Sequence, residues 1–153
     1  MSPQVLFRRV AVAEAVTWAL LLLGMVLKHG TGTTELGVRV LGPVHGVVFI
    51  AYGLATLVVA VDQRWSPRFT VLGLASAVPP FATVWFDLLA ERRGALDGSW
   101  RLGPGGEQPR SVVERVQAWM LARPLAATAV AIAAVALLTT AALVAGPPAS
   151  SAS

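Results

Sequence analysis

Residues Val10 to Leu27 read VAVAEAVTWALLLLGMVL, an apolar run broken by only two polar side chains, Glu14 and Thr17. With its flanks, a run of this length spans the roughly 30 Å hydrocarbon core of a bilayer as one α-helix. Its even apolarity lacks the alternation of a barrel strand. Arg8 and Arg9 precede the run as they would in a signal peptide. No small-residue cleavage site follows it; Lys28 and His29 do, so the reading is an uncleaved helix.

Three further apolar blocks lie outward from this one. Thr31 to Thr34 predict a turn after a Gly30 cap, with Glu35 near the start of the second helix. That helix runs to Val61 and carries Arg39 and His45; Trp65 beyond it suits the membrane interface. Ser66 and Pro67 are a natural N-cap and first helical residue for the third helix, which contains Pro79, Pro80, Trp85 and Asp87. The expected helices are 8–28, 36–61 and 67–91, a three-helix core over 7–93. Residues 94–109, rich in Gly, Pro and charge, predict a surface linker. An amphipathic interfacial helix is expected over 110–122, a fourth span over 124–145 and a disordered tail over 146–153.

Composition agrees. Hydrophobic residues make up 56% of the 153 positions and charged residues 13%, about half the usual charged share of a soluble domain. The fold class is therefore all-α, a transmembrane helical bundle with lipid as its solvent. The net charge of +4 comes from residues flanking the apolar blocks, where cations meet lipid phosphates. No basic stripe is interleaved with exposed aromatics, so nucleic acid is not an expected partner; the lipid bilayer is. The absence of cysteine excludes disulfides and thiolate metal sites.

Polar residues inside the spans are the candidate functional groups. If each block crosses once, position converts to depth at about 1.5 Å per residue. Glu14, Tyr52 and Ser76 then lie roughly 9–13 Å in from the face carrying the N-terminus, face A. His45, Thr83 and Asp87 fall near the opposite face B, with Lys28 at their rim. A carboxylate in hydrocarbon costs several kcal/mol and faces the bundle interior or water. Glu14 reads first as a carboxyl bonded to Tyr52 or to an arginine of face A, and second as a proton or cation relay. The relay reading lacks further carboxylates on its path. His45 lies in GPVHG, where Gly42 and Gly46 have the spacing of a tight helix crossing and Pro43 permits a kink. It reads first as a structural partner of Thr83 or Asp87, and second as a pH-responsive group. Pro79 and Pro80 remove backbone donors midway along the third block, and broken helices at mid-depth recur in transport sites.

No nucleophile–base set, phosphate loop or pair of facing carboxylates can be assembled. The sequence therefore predicts no catalytic residues, no metal and no cofactor, and the expectation is a protein that is not an enzyme.

These motifs resemble a bacterial family of small membrane proteins of unknown function, the YdzA-like domain. The likeness spans Phe7 to about Arg93. It rests on EAVTW around Glu14, MVLK at 25–28, GPVHG at 42–46 followed by Tyr52, then Trp65 and PPFAT at 79–83. Ala82 departs from it, where glycine commonly follows the Pro-Phe pair. The resemblance implies a three-helix membrane core in a bacterial plasma membrane and no established activity.

The leading expectation is an accessory or scaffold component that packs with itself as a homo-oligomer or with other membrane proteins. The alternative is a small oligomeric transporter or ion-coupled carrier using Glu14, His45 and Asp87. Counting Lys and Arg by face, with the long third loop on face B, places both termini outside the cytoplasm.

Overall fold

The computed structural model describes residues 1–30, 32 and 36–145. The expected turn at Thr31–Thr34, the Glu35 helix start and the 146–153 tail fall largely or wholly outside those residues.

Among the described residues six helices follow in order: α1 Pro3–His29, α2 Leu36–Asp62, α3 Pro67–Ala75, α4 Ala82–Arg92, α5 Val112–Ala122 and α6 Pro124–Ala145. No strand occurs among the described residues. The chain is an all-helical bundle in which α1, α2 and α6 are long and apolar enough to cross a membrane. α1 begins five residues ahead of the expected start at 8. Ser2 Oγ accepts from Val5 N at 3.3 Å and Pro3 is the first helical residue, the same Ser-Pro device that opens α3 at Ser66 and Pro67.

The backbones of α1 and α2 approach closely at Gly24 and Gly37, where a Cβ built on Gly24 would lie 3.0 Å from the Gly37 carbonyl carbon. The Gly42/Gly46 pair does not form the expected crossing; a Cβ on either meets nothing within 4 Å. Spacing alone marks a small-residue face, and here the close approach falls on the pair near face B.

The third block does not cross as one helix. It is a hairpin that enters as α3 and returns as α4. Pro79 and Pro80 offer no N–H, and the residue preceding a proline is disfavoured from α geometry. Phe81 takes the left-handed conformation, φ 65°, which turns the chain back. The return is antiparallel: Phe86 packs on Phe69 with centroids 4.9 Å apart and lies against Gly73, and Trp65 Nε1 donates to Ala95 O at 2.7 Å. The nine residues of α3 extend roughly 14 Å, about half a bilayer core. The hairpin tip meets the middle of α1, where Trp18 Nε1 donates to Ala77 O at 3.3 Å.

One core follows from this topology. Phe7, Tyr52, Phe86 and Leu96 are buried at the face A end, with Trp65 and Phe69 packed against them. The segment 94–109 is a cap on that core rather than a linker. Asp62, fully buried, accepts from Arg101 N at 2.9 Å and Leu102 N at 3.1 Å; Trp100 Nε1 donates to Met1 O at 2.7 Å. α5 presents Val112, Val113, Val116 and Trp119 outward, as an interfacial helix does, and turns Gln117 inward to donate to Val58 O at 2.8 Å. α6 then lies against α2, and no residue of it is buried.

With the third block returning to face A, the long spans are odd in number. The start of α1 and the end of α6 therefore lie at opposite ends of the bundle.

Candidate functional site: a buried polar seam between α1 and α4

Gln4, Arg8, Ala11 and Glu14 recur on α1 at three- and four-residue spacing, so they share one face. On α4, Glu91, Asp87 and Thr83 recur at four. Because α4 runs antiparallel to α1, the two sets meet rung by rung. Gln4 Nε2 donates to Glu91 Oε1 at 2.8 Å. Arg8 pairs through Nε with Asp87 and through Nη2 with Glu91 Oε2 at 2.5 Å. Thr83 Oγ1 lies 2.7 Å from Glu14 Oε2 and 3.2 Å from Ala11 O. The seam starts at the half-exposed rim, Arg8 at 42% and Glu91 at 40%, and ends in full burial at Glu14.

Two branches reach α2. Thr17 Oγ1 donates to Glu14 O at 2.9 Å and lies 3.0 Å from His45 Nδ1. A hydroxyl has one hydrogen, so both contacts are hydrogen bonds when His45 Nδ1–H is the second donor. The imidazole also packs on Trp18, centroids 4.6 Å apart. Tyr52 OH donates to Gly73 O at 3.1 Å and shares a 2.9 Å bond with Ser76 Oγ.

The structure thus regroups the expected residues. Tyr52 and Ser76 share a layer, as the depth estimate proposed. Thr83 and Asp87 do not join His45 near face B; the hairpin carries both to the face A half, beside Glu14 and Arg8. Glu14 bonds to Thr83 rather than to Tyr52 or an arginine, and His45 to Thr17 rather than to Thr83 or Asp87. Lys28, on the last turn of α1, is at the far end from Asp87 and rims no such layer. Pro43 sits inside a continuous α2. Pro79 and Pro80 form the exposed hairpin tip. Sequence reading assigned no role to Glu91, Asp62 or Arg101; their partners are 83, 39 and 40 positions away and leave no local signal.

Among the described residues no three His, Asp or Glu side chains converge as metal ligands. What the seam does hold is two buried carboxyl groups with spare capacity: Glu14 Oε1 and Asp87 Oδ1 lack hydrogen-bond partners. Outside the spans, the Glu114 carboxylate is held below its usual range by the Arg110 backbone N–H and the Arg101 guanidinium, 2.6 and 2.7 Å away.

A second feature lies on the other side of α2. An apolar cleft of about 670 Å³ runs between α1, α2, α5 and α6, with Ala51 and Ala55 on one wall and Ala127 and Ala131 on the other.

Comparison with known proteins fits this architecture. The chain is 48% identical over 91 residues to a Streptomyces coelicolor protein named "Putative membrane protein". The matched stretch is 59% of this chain and 11% of that relative, so the chain spans about a tenth of the relative's length. No solved structure matches. The model of a family described as "Domain of unknown function (DUF3817)" matches residues 5–92, which run from the first turn of α1 to the end of α4. The earlier resemblance to an unknown-function membrane family is borne out. This membrane protein, whose described residues include three helices fit to cross a bilayer and a hairpin beside them, belongs to the DUF3817 family.

Proposed function

We propose that the chain is an accessory module of a membrane assembly, packing through α6 and the adjoining cleft with a second copy or with a larger membrane protein. The observation that carries this reading is α6 itself: a 22-residue apolar helix with nothing buried, opposite alanines of α2 across an unfilled cleft. In lipid, apolar exposure alone drives no association; small residues that let backbones approach do. The relative lends support, because there the matched stretch is a small part of a longer protein.

The expected test places a photocrosslinking residue at Ala131 on the cleft and, as a control, at Leu137. A discrete adduct from Ala131 alone, lost when Ala127 is replaced by Phe, supports docking. A chain that stays monomeric in native lipid at both positions overturns it.

The hairpin supports one orientation over the other. It places ten of the twelve Lys and Arg residues on face A and leaves Lys28 and Arg39 on face B. The positive-inside rule then sets face A in the cytoplasm, with the start of α1 inside and the end of α6 outside. Because the chain lacks cysteine, single cysteines at Ser2 and Ala145 can be labelled selectively. Labelling of Ser2→Cys by an impermeant reagent in intact cells would reverse the assignment.

The carrier reading gains from one specific feature. Half-helices meeting at mid-depth beside a buried carboxyl are the arrangement of many transport sites. Proteoliposome flux abolished by Glu14→Gln would favour it over docking.

A further inference from the structure

We propose that Glu14 and Thr83 form a proton-binding site at the hairpin break, occupied at neutral pH and exchanging with face A through Asp87. The inference stands apart from the docking reading and uses none of its surfaces.

The first argument is a hydrogen count. Thr83 Oγ1 carries one hydrogen, yet it lies within bonding distance of two oxygens, Glu14 Oε2 at 2.7 Å and Ala11 O at 3.2 Å. A carbonyl accepts only, so both contacts are hydrogen bonds when the Glu14 carboxyl is the donor. Glu14 O–H then donates to Thr83, and Thr83 donates to Ala11 O. With Glu14 ionised, one contact is left without a hydrogen.

The second argument is charge. Glu14 is fully buried, its Oε1 has no hydrogen-bond partner, and no ion pair reaches it among the described residues. A buried carboxylate without a cation and with half its acceptors idle is strongly disfavoured against the neutral acid. The charged and titratable neighbours do not change this. On α4, Asp87 and Glu91 are anionic and engage Arg8 of α1. On α2, Tyr52 bonds to Gly73 and Ser76, and His45 reaches the site only through Thr17.

The third argument is a route. Asp87 lies four residues from Thr83 along α4, about 6 Å of rise, and its buried Oδ1 has no partner. A water bridging that gap takes the Glu14 proton and gives one of its own to Asp87 Oδ1, so one O–H bond breaks at Glu14, one forms at Asp87 and the water is regenerated. Glu14 takes the negative charge, and Arg8 keeps Glu91 as its counter-ion at the half-exposed rim. The charge count of the seam is unchanged, and the bridging water is the one other participant.

Infrared spectroscopy of the full chain in lipid nanodiscs tests both parts. The expected spectrum at neutral pH has a protonated-carboxyl stretch that shifts with isotope-labelled glutamate, disappears in Glu14→Gln, and moves in frequency but persists in Thr83→Val. Asp87→Asn keeps the band and slows its hydrogen–deuterium exchange. The labelled wild-type chain needs no variant, so a variant that fails to fold leaves the first part decided. No such band in wild type, or one untouched by labelled glutamate, overturns the site. Exchange unchanged in Asp87→Asn overturns the route. A chain that docks nowhere leaves the band in place.

Discussion

Arg8 on the second turn of α1 clamps Asp87 of α4, 79 positions later in the chain. That pair fixes the hairpin against the bundle: Asp87 is 1% exposed and Arg8 supplies its cation from the rim. Truncating Arg8 to Ala strands a buried carboxylate. The expected cost is about 2 kcal/mol, below the roughly 3–5 kcal/mol of a wholly buried pair because Arg8 is 42% exposed. Unfolding titrations in mixed micelles measure it. Adding Asp87→Asn to Arg8→Ala is expected to restore much of the loss, and a strictly additive double variant contradicts the clamp.

Gly73 seats Phe86 in the hairpin. A methyl group there would meet the Phe86 ring at 2.9 Å and Thr56 Cγ2 at 3.1 Å. Gly73→Ala is expected to destabilise by about 1–3 kcal/mol through overpacking. Gly46→Ala, with open space around it, should gain up to about 1 kcal/mol from helix propensity. Thermal melts in one detergent compare the two, and a neutral Gly73→Ala would refute the packing of α3 on α4.

Asp62 holds the cap over the aromatic core. Asp62→Ala removes the acceptor for Arg101 N and Leu102 N, leaving buried donors unpaired at a cost of about 1–3 kcal/mol. Limited proteolysis is the direct measure: cleavage after Arg101 should become fast in the variant. Equal cleavage rates would mean the cap does not depend on Asp62.

Acid should loosen α5. The Glu114 carboxylate is held below its ordinary range by Arg110 and Arg101. Its contribution to docking is therefore present above the unfolded-state value and lost as pH falls through the lower, folded one. Hydrogen-exchange protection of α5 amides should drop on acidification in wild type. Glu114→Gln should start lower and lack that step. A wild-type profile flat into the acid range would contradict the assignment.

The sequence by itself determined the solvent and the helices. Apolar blocks such as Val10–Leu27 are local, and so are the Ser-Pro starts at Ser2 and Pro3 and at Ser66 and Pro67. Only tertiary structure decided which way the third block runs. A Pro-Pro pair permits either a kink or a reversal, and the choice rests on Phe81 at positive φ, Phe86 on Gly73, and Trp65 bonded to Ala95, contacts that no helical period encodes. Because side-chain depth inherits that direction, the reversal moved Asp87 and Thr83 from one end of the bundle to the other. It joined them to Glu14 and Arg8, and with them moved most of the chain's positive charge to face A.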